Sequence, residues 1–307
     1  MSATDNDIDD SAAPLIEHLA ELRTRLIRSV LAFVVGMVIC FSFGSAILDF
    51  LLVPIENTMR NLGNPNPVMQ YTAPQEYFFT LIRISMVGGL AVSFPVIATQ
   101  LWRFVAPGLY KNEKNAFLPF LIASPVLFLM GAAFAHYVVV PLAMQFFLGF
   151  SDAASYLSAL LADGEVKASG IDIVFNGKVN ESLDITLKMI VAFGLCFQLP
   201  VLLTLMGKAG LVDAPGLRRV RKYALVGILL LAALVTPPDV VTQLILFVVV
   251  YGLYEVSIFL VSRVDAKREK RLREDGFYDE DEDDFEAMAD EMDREEPSIE
   301  DTEDDLK

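Results

Sequence analysis

The stretch ALVGILLLAALVTPPDVVTQLILFVVVYGLYEVSIFLV, Ala224 to Val261, holds two apolar runs separated only by Thr236-Pro237-Pro238-Asp239. The second run, Val240–Val261, is long enough to cross a bilayer, because about 20 apolar residues span roughly 30 Å of hydrocarbon. The first run, Ala224–Val235, reaches only about 20 Å at ~1.5 Å per residue. It stays shallow, re-enters, or crosses where the bilayer thins. The two form a tight helical hairpin, and the rest of the chain has to be a membrane protein built around it.

Composition agrees. Hydrophobic residues make up 54% of 307 residues and mean hydropathy is +0.48, yet the net charge is −16. The two properties are segregated. From Glu274 to Lys307 there are 19 acids and two bases, Arg294 and Lys307, so residues 1–273 are close to neutral. A segment so charged and so poor in large apolar groups cannot bury enough surface to offset its ordering entropy. Residues 264–307 therefore read as a basic, then acidic, disordered tail. The acidic residues 1–13 read the same way, and the absence of a basic start argues against a cleavable signal peptide.

Four more apolar runs precede the hairpin: Leu26–Phe43, Phe78–Gln100, Phe117–Tyr137 and Ile185–Met206. The expectation is an all-α membrane protein with six transmembrane helices, over 26–43, 78–100, 117–137, 185–206, 224–235 and 240–261. Lysine and arginine gather on one side of it: Arg23, Arg25 and Arg28 before the first run, Arg103, Lys111 and Lys114 after the second, Lys208 to Lys222 after the fourth, and Arg263 to Arg273 after the sixth. That asymmetry places both termini in the cytoplasm. Segments 44–75 and 138–184 then face outward. The first reads as a short helix and turns. The second is polar from Ser151 to Asp184, and Asn176-Gly177 suits the two-residue turn of a β-hairpin.

Chemistry-bearing motifs are few. Cys40 and Cys196 fall inside spans without metal-ligand spacing, and neither HExxH, GxSxG nor a phosphate-binding loop occurs. No enzyme, cofactor, metal or nucleic-acid partner is expected. Polar groups in hydrocarbon tend to mark function. Gln198 and Glu255 are two such groups; interhelical or structural pairing is the alternative for each. A secondary transporter would show broken helices in paired repeats, and none is evident. A transporter and a non-catalytic membrane scaffold remain the alternatives.

The segment LIEHLAELRTRLIRSV, Leu15–Val30, comes directly after Pro14 and reads as an amphipathic helix at the membrane surface, with Glu21 able to pair with Arg25 at i, i+4 spacing. Together with SFPVIATQLWRF, FVAPGLYKNEKNAF and LVTPPDVVTQ it resembles the TatC family, the multi-spanning receptor subunit of the twin-arginine protein translocase. The resemblance covers about Leu15 to Arg263. It implies six helices in a concave, glove-like arrangement with the last two short. It also implies recognition of paired-arginine signal peptides on folded cargo, with single-span TatA-like and TatB-like partners, further copies of the chain, and proton-motive force as the driver. The membrane would be the bacterial cytoplasmic one. Glu21, Glu113, Arg23 and Phe104 match its signal-binding positions; Pro54 and Asp239 match positions of the extracytoplasmic face. Many members carry an acid where this chain has Gln198, which cannot titrate; the expectation is contact with a partner's helix. The acidic tail lies outside the resemblance. A chain ending at Arg273 is expected to support export as the full chain does; loss of export of a twin-arginine reporter, at normal membrane level, would give the tail a role.

Overall fold

The computed structural model describes residues 3–105, 114–161, 177–236 and 239–274. The described residues are almost wholly helical: α1 (Ala3–Ser42), α2 (Gly44–Asn61), α3 (Glu76–Val105), α4 (Lys114–Phe134), α5 (Val140–Leu161), α6 (Val179–Cys196), α7 (Leu199–Lys208), α8 (Ala214–Arg219), α9 (Arg221–Val235) and α10 (Val240–Glu274). In hydrocarbon a helix satisfies its own backbone groups, so apolar runs of this length have few alternatives. Five stretches are long and apolar enough to cross a membrane: Leu19–Ser42, Glu76–Phe104, Pro119–Phe150, Val179–Lys208 and Val240–Arg271. With 15 residues, α9 is too short to be counted with them.

Several boundaries differ from the sequence expectation. Helix α1 begins at Ala3, so the acidic stretch 1–13 is largely helical rather than disordered. The third run does not end at Tyr137. A π-turn, Ala135–Val139, joins α4 to α5, and its Val140 N–H reaches back to the carbonyl of Ala135. Pro141 comes directly after it, cannot donate its own backbone bond, and is accommodated where the helix widens. The helix thus continues to Leu161 through much of the segment 138–184 expected to be an outer loop.

The first strand and Asn176 of the expected hairpin lie outside the described residues. Gly177-Lys178 pairs in parallel with Met69-Gln70, and the chain enters α6 at Val179. Arg83 on α3 secures that end by donating to Asn180 Oδ1 at 3.0 Å and lying 3.7 Å from Asp184. The fourth run breaks at Phe197-Gln198, where Pro200 sits in the first turn of α7. At the far end, the last helix is not short. With 35 residues, α10 carries residues 264–274 of the expected disordered tail, where cationic side chains suit a helix C-terminus and Arg273 pairs with Glu269. The tail from 275 onward lies outside the described residues.

Two close crossings hold the helices together. Where α1 meets α3, a Cβ on Gly36 would lie 2.8 Å from the Gly89 carbonyl oxygen, and one on Gly89 would lie 2.7 Å from the Met37 backbone. Where α4 meets α6, a Cβ on Gly131 would lie 2.5 Å from the Phe193 carbonyl oxygen, while Gly194 lies against the Phe128 ring. Lipid tails are as apolar as leucine, so helices in a bilayer associate by close packing rather than by hydrophobic expulsion from water. A larger core cluster links α2, the π-turn, α6, α9 and α10, with Ile55, Val139, Phe193, Leu246 and Val250 fully buried. A smaller one joins α3, α4 and α7 through Phe94 stacked on Phe128 at 4.0 Å and the buried Trp102. Gly131→Leu is expected to cost about 1–3 kcal/mol through overpacking, read as a lower midpoint of thermal unfolding in detergent. Gly227→Leu, at a glycine with open space around it, is expected to change little.

Candidate functional site

Helices α1 and α3 are antiparallel: Gly36 faces Gly89, and the Phe41 ring lies 6.4 Å from that of Phe78. Glu21 lies fifteen residues before Gly36, and Phe104 lies fifteen after Gly89. At ~1.5 Å per residue both stand about 22 Å from the same crossing, and on the same side of it. Two expected signal-binding residues, far apart in sequence, thus reach one level, beside the C-terminal end of α3. α3 ends at Val105 and α4 starts at Lys114. Glu113, expected to be the second carboxylate, lies outside the described residues.

Glu21 is half-buried, with 35% of its side chain exposed. It pairs with Arg25 one turn on, whose Nε donates to Oε1 at 2.9 Å. Oε2 makes no hydrogen bond among the described residues. Arg23 is exposed and has no ion-pair partner among them, and Phe104 is half-buried. A carboxylate with a free oxygen, level with an aromatic side chain at the end of apolar helices, can accept N–H bonds from a guanidinium and leave apolar surface for the hydrophobic residues of the same ligand.

The same end is built up by α7 to α10. Lys208 Nζ sits 4.6 Å from the centre of the Phe120 ring near the start of α4. Tyr254 donates its hydroxyl to the Leu217 carbonyl at 2.7 Å, and the Ala214 N–H donates to Asp265 Oδ2 at 2.8 Å. These bonds bind the basic segment around α8 to α10. Glu255 belongs to this scaffold. Its Oε2 accepts from Arg221 at 2.6 Å, the structural pairing that was the alternative to a functional role.

Gln198 is likewise engaged within the chain. Its Nε2 donates to the Ser124 carbonyl at 2.9 Å, and its Oε1 accepts from the Ser124 hydroxyl. The break between α6 and α7 is thereby pinned to α4. Asp239 and Pro54 stay away from Glu21. Asp239 is 5% exposed and precedes α10; its Oδ1 accepts the Thr242 N–H at 2.7 Å and its Oδ2 accepts the Thr242 hydroxyl. That is a helix N-cap, legible in the sequence as Asp239-x-x-Thr242 opening an apolar run. Pro54 is buried within α2, and its carbonyl accepts from Thr58 at 2.8 Å. Ser124, Asp265 and Tyr254 were not signalled by the sequence, because each is used by a residue far away in the chain.

Among the described residues no cluster of three His, Cys, Asp or Glu side chains is arranged to hold a metal, and Cys40 and Cys196 are free thiols. The arrangement defines a multi-spanning α-helical membrane protein with a carboxylate and an aromatic side chain at one level of one end of its helix bundle. Residues 17–248 match the family of the Sec-independent protein translocase protein (TatC), and the chain belongs to that family. It is 43% identical to the TatC protein of Magnetococcus marinus over 84% of this chain and 88% of that one. It is 36% identical to that of Aquifex aeolicus over 85% and 99%. A crystal structure described as the twin arginine translocase receptor TatC matches with a TM-score of 0.65 at 37% identity, covering 81% of this chain and 99% of that one.

Asp239→Ala is expected to cost about 0.5–2 kcal/mol by removing the cap of α10, seen as a lower unfolding midpoint in detergent. Asp239→Ser, which keeps a capping oxygen, is expected to retain most of that stability.

Proposed function

We propose that the chain is the receptor for twin-arginine signal peptides and the core subunit of a translocase that exports folded proteins across the bacterial cytoplasmic membrane. Membership of the TatC family supports this, as does the description of the similar crystal structures as twin arginine translocase receptors. In this reading Glu21 and Glu113 each take one arginine of the cargo signal. Adjacent residues of an extended peptide point to opposite sides, so one carboxylate serves only one of them well. Phe104 packs against the peptide, and Arg23 sets the local charge that orients it. The observation that carries the reading is the shared level of Glu21 and Phe104, with one oxygen of Glu21 open.

The lysine and arginine asymmetry supports six spans with both termini in the cytoplasm, α9 crossing where the bilayer is thin. The helices form a concave wall in this reading. TatA-like and TatB-like single-span proteins and further copies of the chain complete the complex, and proton-motive force drives transport. Gln198, after clasping Ser124, retains one amide N–H and one lone pair for a polar group of a partner's helix. Glu255 holds α9 against α10, while Pro54 and Asp239 shape the extracytoplasmic side.

The test is binding of a fluorescent twin-arginine signal peptide to the full chain in nanodiscs. Glu21→Gln and Glu113→Gln are each expected to weaken binding by about 1–3 kcal/mol, roughly 5- to 150-fold. Unchanged binding in both variants would refute the receptor reading and leave a scaffold as the better one.

A further inference from the structure

Arg25 is the more buried partner of the Glu21 pair, with 19% of its side chain exposed against 35% for Glu21. Its Nε and Nη2 both donate to the same oxygen, Oε1. The forked guanidinium of Arg25 therefore does to Glu21 what a cargo arginine would do, using donors of the same chemistry. Neighbouring cations do not share this place. Arg23 and Arg28 are exposed and have no ion-pair partner among the described residues.

We propose that Arg25 is a built-in competitor: its guanidinium holds Glu21 in the empty receptor, and it has to yield Oε1 before a cargo arginine can bind both oxygens side-on. The proposal rests on the reading of Glu21 as a cargo ligand. An intramolecular pair is present at any protein concentration, so it lowers the affinity for every arginine-bearing peptide by a constant factor. Half-exposed i, i+4 pairs are weak, which makes that factor small, about two- to fourfold. The same pair re-forms as cargo departs. Glu21 then exchanges one guanidinium for another instead of standing alone, which eases release of a signal peptide that binds only transiently.

The experiment measures the affinity of the fluorescent twin-arginine peptide for the full chain in nanodiscs. Arg25→Gln is expected to tighten binding two- to fourfold, and to have no effect when Glu21→Gln is already present. Arg25→Lys keeps the charge but loses the fork, and is expected to tighten binding by a smaller factor. Arg28→Gln removes an equal charge one turn further on and is expected to leave affinity unchanged. Weakened or unchanged binding in both Arg25 variants, while Glu21→Gln weakens it, would overturn the competitor role. Equal tightening by Arg28→Gln would overturn it too, by assigning the effect to general charge. Failure of Glu21→Gln itself to weaken binding would instead overturn the receptor reading beneath it.

Discussion

The backbone contact between α1 and α3 at Gly36 and Gly89 is the constraint on which the candidate site depends. Without side chains at these two positions the helix axes approach until a Cβ on either would meet backbone atoms of the other. Steric contact between the two backbones thus sets the register. Because the helices run antiparallel from that point, Glu21 and Phe104 arrive at one level although 83 residues separate them in sequence. A crossing displaced by one turn would move one against the other by about 5 Å, more than the length of a hydrogen bond.

Polar groups within the helices serve the same end. Gln198 and Glu255 could each be read from sequence as functional, since intramembrane polar side chains are costly to bury, and Asp239 matched a position of the extracytoplasmic face by resemblance. In the structure each is matched by a partner in this chain: Ser124, Arg221 and Thr242. Gln198 pins a helix break, Glu255 ties α9 to α10, and Asp239 caps α10. Burial cost explains why a partner is needed; it does not by itself say whether that partner lies inside the chain or in another protein. Glu21 differs from these three. It is partly exposed, with one oxygen engaged by Arg25 and the other without a hydrogen bond among the described residues.

The helical boundaries show how local pattern and local chemistry diverge. The segment 138–184 reads as an outer loop because it lies between the third and fourth apolar runs and is polar from Ser151 onward. A π-turn carries the helix past Pro141, so the proline bends its hydrogen bonding without ending it. The Asn176-Gly177 pair has the composition of a hairpin turn, yet after the two residues Gly177-Lys178 the chain enters α6. The partner of Gly177-Lys178 is Met69-Gln70, far upstream. Turn chemistry is local, whereas strand pairing depends on what else the fold brings near.

From the sequence alone came the class of the protein, the rough position of its apolar runs, the shortness of the run 224–235, and the Glu21–Arg25 pair. These rest on composition, on the length needed to cross hydrocarbon, and on i, i+4 spacing, all of which are local. Only the tertiary structure decided that Glu21 and Phe104 share a level, that Gln198 belongs to Ser124 and Glu255 to Arg221, and that α10 is long. Those outcomes depend on helix register and close approach between segments distant in the chain, and no periodicity within one segment encodes where another will cross it.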